Sequence, residues 1–238
     1  MEGKHILITG ASSGIGKETA VYLASRGAKV ILVARNEDKL QHAASLIGKN
    51  AFIYACDLKD QEQIAGLFQY IREQNIMLNG MVHSAGAAKP TPVRAESLAG
   101  MEDTMRVNFF SFFELGKQFF NRKHSLEGSS IVAISSMAAV RPMMGQAAYA
   151  SSKAALNSIV EVMAQEFIKR KIRVNSIMPS YVETPMVSGD VRYGMNNGIE
   201  NMPLGVIDPK QIAYLTEFLL SDRSLHITGA AIPVTSGV

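Results

Sequence analysis

The chain has 238 residues, of which 47% are hydrophobic and 19% charged, and its formal net charge at pH 7 is +3. This composition is typical of a folded globular protein and excludes an intrinsically disordered chain. The basic residues are scattered, so no nucleic-acid partner is expected. No apolar run reaches the roughly 18 residues of a membrane helix, so no membrane partner is expected.

The first apolar run and the cysteine bear on where the protein works. Residues 6–8 are too short a run for the core of a signal peptide. Cys56 is the only cysteine, which agrees with a reducing compartment. We therefore expect a cytoplasmic protein. Cys56 ends an apolar run, which favours a buried, unreactive thiol over a nucleophile.

Short apolar runs alternate with longer segments of helical pattern. Strands are predicted at His5–Thr9, Lys29–Ala34, Ala51–Ala55, 80–83, 131–135 and 173–177. Helices are predicted from the first glycine turn to about 26, at 39–47, at about 61–72 and at about 150–169. Nearly continuous apolar strands separated by helices need a parallel sheet that is covered on both faces. The sequence therefore predicts one α/β domain over residues 1–238, with a doubly wound, Rossmann-type parallel sheet and helices on both faces.

One stretch, residues 188–201, is rich in glycine and asparagine. Such a segment orders poorly by itself, which is typical of a mobile lid over a binding site. We place this lid at about residues 186–203. An ordinary surface loop is the alternative.

A glycine-rich turn follows the first predicted strand, with the sequence TGASSGIG from Thr9 to Gly16. Glycines at such a turn let a pyrophosphate approach the backbone N–H groups at the positive end of the following helix. A plain strand-to-helix turn also uses glycine, but the place of this turn in an α/β chain favours a dinucleotide site.

The residues after the second and third strands indicate which dinucleotide is bound. A carboxylate at the end of the second strand is typical of NAD sites, whereas this chain has Ala34 followed by Arg35. A guanidinium suits a 2′-phosphate, so NADP(H) is the expected cofactor, and a solvated surface arginine is the alternative. Asp57, after the third strand, is a candidate acceptor for the adenine amino group or the N-cap of the next helix.

Tyr149 and Lys153 stand in a Y-x-x-x-K pattern, which places a phenol and an ammonium on one face of a helix. A nearby cation stabilises phenolate, and each unit by which the pKa falls corresponds to about 1.4 kcal/mol. The pair alone arises often by chance. Here Ser136 ends the fifth strand, Asn108 lies in an earlier helical stretch, and Pro179 follows the sixth strand at the same sheet edge.

These motifs, in this order over almost the whole chain, resemble the short-chain dehydrogenase/reductase family. The subfamily that the chain resembles most is the 3-oxoacyl-[acyl-carrier-protein] reductases, at residues 175–186 and 202–205. The resemblance implies that Tyr149 is the general acid of reduction and the general base of oxidation, and that Ser136 binds the substrate oxygen. It further implies that Lys153 lowers the tyrosine pKa and holds the nicotinamide ribose, and that Asn108 anchors a proton-supplying water chain.

The resemblance also implies that Thr184, with the backbone of Val182, binds the nicotinamide carboxamide. The predicted catalytic residues are Asn108, Ser136, Tyr149 and Lys153. The predicted cofactor-binding residues are Gly10, Ser12, Ser13, Gly14, Ile15, Gly16, Arg35, Asp57, Leu58, Ser84, Ala85, Gly86, Asn108, Tyr149, Lys153, Pro179, Val182 and Thr184. No metal site is predicted.

The chain departs from the pattern of the family at four places. The usual Asn-Asn-Ala-Gly after the fourth strand begins here with His83-Ser84, and His83 is expected to be structural. Ser180 replaces a common glycine, and Thr235-Ser236 replaces Asp-Gly near the C-terminus. Glu127 stands where carrier-protein reductases tend to have a basic residue, which weakens the assignment to a carrier-protein substrate.

Two further sets of residues bear on assembly and on the substrate. An aromatic helix is predicted at residues 108–120; the resemblance implies a homo-oligomer face there, in a dimer or tetramer, and core packing is the alternative. Arg141 and Arg192 are expected to border the entrance of the site. The methionines expected around the substrate are Met137, Met143, Met144, Met186, Met195 and Met202.

The sequence therefore predicts NADPH-dependent reduction of a carbonyl to a secondary alcohol. The expected substrate is a small-molecule carbonyl compound, such as a 3-oxoacyl thioester or a similar keto compound. A secondary-alcohol dehydrogenase needs the same residues and is the first alternative. A non-catalytic NADP(H) sensor is the second, and it is disfavoured because Ser136, Tyr149 and Lys153 are all present.

Overall fold

The computed structural model describes residues 1–188 and 202–237, and these form one seven-stranded sheet in the order β3-β2-β1-β4-β5-β6-β7. Every neighbouring pair is parallel; for example, Leu7 on β1 pairs with Ile31 on β2 and Met81 on β4. The strands are β1 (His5–Thr9), β2 (Lys29–Ala34), β3 (Ala51–Ala55), β4 (Leu78–His83), β5 (Ser125–Ile134), β6 (Arg173–Pro179) and β7 (Ala231–Val234).

Helices connect these strands and cover both faces of the sheet. In the described residues they are α1 (Gly14–Ser25), α2 (Glu37–Ile47), α3 (Gln61–Glu73), α4 (Leu98–Met105), α5 (Ser111–Phe120), α6 (Ala147–Phe167), α7 (Pro185–Ser188) and α8 (Pro209–Leu220). A π-helical turn, Arg106–Phe110, joins α4 to α5 without a break. The predicted doubly wound α/β fold is confirmed.

Alternation along the strands divides the core into two layers. Leu7 and Ile31 face α3, α5 and α6, whereas their neighbours Ile6, Ile8 and Leu32 face α1, α2 and α8. These strand side chains are fully buried on both faces, which explains why the strands are apolar almost throughout. Burial at about 25 cal/mol per Å² of apolar surface makes these two layers the main source of stability.

The structure extends several predicted elements. α2 begins at Glu37 because the Asn36 side chain caps the helix, accepting from the Lys39 N–H at 2.8 Å. β5 begins at Ser125, well before the predicted start at residue 131, and its polar first half has no apolar pattern. That half joins the sheet where Leu78 pairs with Ser125, across a shift in register.

Four elements, α4, α7, α8 and β7, were not predicted from the sequence. α8 carries the usual start signals, since Asp208 caps it and Pro209 stands in its first turn. β7 has four residues, one of them Pro233, and lies at the edge of the sheet beside β6. A short strand that contains proline has too weak a pattern to predict, and its place depends on pairing with β6.

Most of the predicted lid, residues 189–201, lies outside the described residues. Arg192 and Met195 lie there too, so the expectations for these two side chains stay predictions. Among the helices of residues 1–188 and 202–237, none is long and apolar enough to cross a membrane. The same part of the chain contains no group of three or more His, Cys, Asp or Glu side chains arranged to hold a metal ion.

The turn between β1 and α1 depends on the absence of a side chain at Gly10. Its φ is +66°, and a Cβ atom added there would lie 2.7 Å from the Ala85 nitrogen. The backbone after β1 thus packs directly against the backbone after β4. Gly48 also has a positive φ, +77°, but its Cβ would meet nothing within 4 Å.

Substitutions at Gly10 and Gly48 distinguish the cost of backbone strain from the cost of disturbing a close contact. We expect Gly48→Ala to cost about 1–2 kcal/mol of unfolding free energy, since only its positive-φ backbone conformation opposes it. Gly10→Ala should cost roughly 2–4 kcal/mol, because the two backbones must also move apart. Urea unfolding of both variants measures the difference, and equal costs would contradict the close contact.

Candidate active site

A cavity of about 420 Å³ opens along the carboxyl ends of the strands, at the point where the sheet order changes direction between β1 and β4. Most of the predicted site residues line it. They are Gly10, Ser12, Ser13, Gly14, Ile15, Arg35, Asp57, Leu58, Ser84, Ala85, Gly86, Ser136, Tyr149, Lys153, Pro179, Val182 and Thr184. Gly16 and Asn108 are the two predicted residues outside this lining.

The glycine-rich turn forms one wall of the cavity at the start of α1. Ser13 is the N-cap residue of α1, and its side chain makes no capping hydrogen bond. Gly14 and Ile15, in the first turn of α1, line the cavity, and at this end of the helix the dipole favours an anion. Gly16 lies behind them and packs on the Gly10 carbonyl, where a Cβ would lie 2.4 Å from the oxygen, so Gly16 shapes the turn from behind.

A second cation joins Arg35 at the end of the cavity beyond β2. Lys39, in the first turn of α2, lines the cavity together with Arg35 and Asn36. Both cations are exposed, so they can move to meet a ligand. Sequence reasoning missed Lys39, although its place four residues after Arg35, across a helix start, was a usable signal.

The wall of the cavity beyond β3 has its own polar residue in Asp57. Asp60, not Asp57, is the N-cap of α3, since its side chain accepts from the N–H groups of Glu62 and Gln63. The helix-cap alternative for Asp57 is therefore wrong. One carboxylate oxygen of Asp57 accepts from the Lys59 N–H at 3.1 Å, which fixes it at the cavity wall.

Cys56, next to Asp57, is 1% exposed. Its burial, with smaller contributions from Asp57 and Asp60, raises the pKa of its thiol to about 12. A thiol with this pKa stays protonated at neutral pH and is a poor nucleophile. The expectation of a buried, unreactive cysteine is confirmed.

Ser136 and Tyr149 meet at the other end of the cavity. Ser136 follows β5, where its hydroxyl accepts from the Ala138 N–H at 3.1 Å. Tyr149, in the first turn of α6, is hydrogen-bonded to Ser136 through its phenol. Burial raises the pKa of the Tyr149 hydroxyl above its ordinary value, and the bond to Ser136 opposes part of this rise. The phenol is therefore protonated at neutral pH.

Lys153 lies one turn farther along α6. Its ammonium is buried, donates to the Ile134 carbonyl at 2.8 Å and lies 5.8 Å from the centre of the Tyr149 ring. Burial lowers the pKa of Lys153 to about 8. The lysine is thus oriented by the end of β5. The lowering of the Tyr149 pKa expected from Lys153 stays a prediction.

Asn108 stands at the centre of the π-helical turn and is fully buried. Its side-chain oxygen accepts from the Ala87 N–H at 2.8 Å, and its amide donates to the Ala87 carbonyl at 3.0 Å and to the Ser152 hydroxyl at 2.9 Å. Asn108 therefore joins the segment after β4 to α6, directly behind Tyr149 and Lys153. The water chain expected from the resemblance stays a prediction.

Two residues expected near the substrate, Met186 and Arg141, lie differently relative to the cavity. Met186 lines the cavity, whereas Arg141 is exposed and does not line it. Met143 and Met144 are exposed on the loop before α6, with exposed fractions of 46% and 96%. The Tyr181 hydroxyl donates to the Met143 sulfur at 3.5 Å.

Comparison with known proteins places this geometry in a family. Residues 10–238 match the family model described as enoyl-(acyl carrier protein) reductase. The chain is 32% identical to the 3-oxoacyl-[acyl-carrier-protein] reductase of Escherichia coli K12 over 241 residues, covering 100% of this chain and 98% of the relative. It is 30% identical to the 7alpha-hydroxysteroid dehydrogenase of the same strain over 244 residues, covering 100% and 94%.

A solved short-chain dehydrogenase/reductase from Brucella melitensis, described as a glucose/ribitol dehydrogenase, superposes with a TM-score of 0.94 at 28% identity. The superposition covers 100% of this chain and 97% of that chain. The chain belongs to the short-chain dehydrogenase/reductase family. It is an oxidoreductase, and members of this family bind NAD(P)(H).

In this short-chain dehydrogenase/reductase, His83 replaces the first asparagine of the usual motif after β4. The ring is fully buried, and its Nδ1 lies 3.0 Å from the Thr9 hydroxyl, which also accepts from the Ala85 N–H at 3.2 Å. Burial, with a smaller effect of the charge on Lys153, lowers the pKa of His83 to about 3, so the ring is neutral. The hydroxyl proton of Thr9 can then be donated to Nδ1, which joins the ends of β1 and β4 behind the cavity.

This link predicts a specific cost for Thr9→Val. The change keeps the shape of the side chain but leaves the Ala85 N–H and His83 Nδ1 without their partner, and we expect a loss of about 2–4 kcal/mol in unfolding free energy. The control is Thr216→Val, which removes a buried hydroxyl that donates within α8 to the Ile212 carbonyl. That carbonyl keeps its helical partner, so the control should cost under about 1.5 kcal/mol. Similar losses in both variants would argue against the link.

Proposed function

We propose that this short-chain dehydrogenase/reductase reduces a carbonyl compound to a secondary alcohol with NADPH. The observation that carries the proposal is the distribution of groups along one cavity. A hydrogen-bonded Ser136–Tyr149 pair with Lys153 lies at one end, and Arg35 with Lys39 lies at the other. The N-terminus of α1, which no side chain caps, also lines the cavity and suits a pyrophosphate.

The protonation state of Tyr149 favours reduction over oxidation. A general acid must carry its proton, and burial raises the pKa of the Tyr149 phenol so that it does at neutral pH. Oxidation of an alcohol needs the phenolate, which this burial disfavours. A secondary-alcohol dehydrogenase, the alternative, requires a further source of positive charge near the phenol.

The chemistry of the site follows from the positions of the hydroxyl groups. A substrate carbonyl oxygen placed beside Ser136 and Tyr149 accepts hydrogen bonds from both hydroxyls, which polarises the carbonyl. When bound, NADPH supplies the hydride for the carbonyl carbon. Tyr149 transfers its phenolic proton to the oxygen, which completes the alcohol. Lys153, held at the Ile134 carbonyl, supports the negative charge left on the phenol and is placed to bind the hydroxyls of a ribose.

Arg35 and Lys39 support the choice of NADPH over NADH. Two cations at the end of β2 attract a 2′-phosphate, and Ala34 offers no carboxylate to a ribose hydroxyl. Asp57, at the adenine end, accepts from the amino group of the base. A sensor that binds NADP(H) without turnover is the rival of another class, and it has no need of the Ser136–Tyr149 pair.

A 3-oxoacyl thioester is the substrate class that we propose, with simple apolar ketones as the second candidate. Similarity to 3-oxoacyl-[acyl-carrier-protein] reductases supports the acyl group, and Met186 offers an apolar contact in the cavity. Glu127 bears on the carrier of the acyl group. It pairs with Lys171 at 2.9 Å, which reduces the positive charge there and favours a coenzyme A thioester over an acidic carrier protein.

We further propose that the protein is a dimer or tetramer. The aromatic helix divides into two parts: Phe112 and Phe119 are fully buried in the core, whereas Phe110 and Phe113 are 51% and 45% exposed. The core interpretation therefore holds for the first pair. A second subunit is the partner that we propose for the exposed pair.

Replacing Tyr149 tests the reaction. Tyr149→Phe keeps the ring and removes the proton donor, so we expect kcat to fall by about 100- to 10,000-fold while NADPH binding changes little. The assay follows NADPH oxidation with acetoacetyl coenzyme A and, separately, with simple ketones. Tyr214→Phe, a partly exposed tyrosine on α8, is the control and should keep parental activity. Activity of Tyr149→Phe within a few-fold of the parent would exclude this mechanism.

Replacing Arg35 tests the cofactor. Arg35→Asp turns attraction for the 2′-phosphate into repulsion, and we expect the ratio of kcat/KM for NADPH over NADH to fall by about 10- to 100-fold. Arg26→Asp, at the exposed C-terminal end of α1, changes the net charge equally and should leave the ratio unchanged. A parent enzyme that prefers NADH would contradict the assignment.

A further inference from the structure

One wall of the cavity is a loop whose position depends on two distant parts of the chain. This cavity-wall loop, residues 180–184, follows β6 and contributes Ser180, Val182 and Thr184 to the cavity lining. On one side, the Ile207 N–H donates to the Tyr181 carbonyl at 3.0 Å, and the Glu183 N–H donates to the Ile207 carbonyl at 2.9 Å. On the other side lies the end of β7.

Ser180 makes two hydrogen bonds to that end of β7. Its N–H donates to the Val234 carbonyl at 2.9 Å, which continues the parallel pairing of β6 with β7 by one residue. Its hydroxyl donates to the Thr235 carbonyl at 3.0 Å. A glycine at position 180 would keep the N–H bond to Val234 but would lack the hydroxyl bond to Thr235. The hydroxyl therefore attaches the cavity-wall loop to the residues that follow β7.

Those residues, 235–237, are themselves held in an unusual conformation. Ser236 has a φ of +54°, which is unfavourable for any residue other than glycine and persists only where the surroundings hold it. The Ser236 carbonyl accepts from the Leu204 N–H at 3.2 Å. Gly237 packs against the ring of Pro203, where an added Cβ would lie 3.1 Å from the nearest ring carbon.

We propose that residues 235–237 act as a clamp that tunes dinucleotide affinity. Ser180 is the positioning residue through which the clamp determines the position of the cavity-wall loop. The inference rests on the proposed function in one respect, namely that a dinucleotide occupies the cavity. The clamp contacts two other segments, residues 180–184 and 203–204. Among the described residues, the Ser180 hydroxyl makes the single side-chain hydrogen bond between residues 180–184 and the clamp.

Ser180→Ala tests the clamp, because it removes this bond and keeps the backbone bond to Val234. Loss of one hydrogen bond shifts a local opening equilibrium by about two- to tenfold. We expect the Leu204 amide to exchange with deuterium faster by that factor without cofactor, and the Kd for NADPH, measured by fluorescence titration, to rise several-fold. Both readouts are independent of turnover.

Ser130→Ala is the matched control. Ser130 is a buried serine on β5 whose hydroxyl donates to the Leu219 carbonyl at 2.8 Å, and it does not line the cavity. Its loss should lower the thermal midpoint without changing Leu204 exchange or the Kd for NADPH. Parental exchange and parental Kd in Ser180→Ala would overturn the clamp, as would an equal rise of the Kd in Ser130→Ala. A parent protein that binds neither NADPH nor NADH overturns the proposed function instead, and the exchange rates then decide the clamp on their own.

Discussion

The cavity exists because the ends of β1 and β4 lie side by side where the chain changes direction across the sheet. The first three strands extend one way and the next four the other, so the loops after β1 and β4 diverge and leave a crevice between them. Close contact between Gly10 and the Ala85 backbone holds this divergence point together. The Thr9 hydroxyl adds a polar link between Ala85 and His83. Gly10, Ser84 and Ala85, at these two strand ends, line the cavity.

In the proposed function, electrostatic differences along the cavity separate cofactor binding from chemistry. Arg35 and Lys39 are exposed at one end, where mobile cations can adapt to an anionic ligand. Lys153 is buried at the other end, with its pKa lowered to about 8 and its ammonium fixed on a backbone carbonyl. A buried cation with one protein partner is costly to hold in a fold, and such cost is typical of functional sites.

The proposed catalytic end is supported from behind by buried polar hydrogen bonds. Asn108 uses both ends of its amide to join Ala87 to Ser152, and so to α6. The π-helical turn places this amide inward, since the extra residue in the turn changes the face that the helix presents. His83 stays neutral because burial opposes its charge. Apolar side chains alone cannot orient hydroxyl groups, which explains why these polar residues lie in the core.

The sequence by itself determined the fold class and most of the site, because the signals involved are local. Apolar strands separated by helical segments require a covered parallel sheet, and parallel strands bring Gly10, Asp57, Ser136 and Pro179 to one edge of it. The Tyr149–Lys153 spacing is a property of one helix. Only the tertiary structure decided matters that depend on contacts between distant segments. Examples are the helix cap at Asp60, the burial that raises the pKa of Tyr149, the place of Lys39 beside Arg35, and the edge strand β7 with its attachment to Ser180. Burial and strand pairing depend on many neighbours from elsewhere in the chain, so no local sequence pattern predicts them.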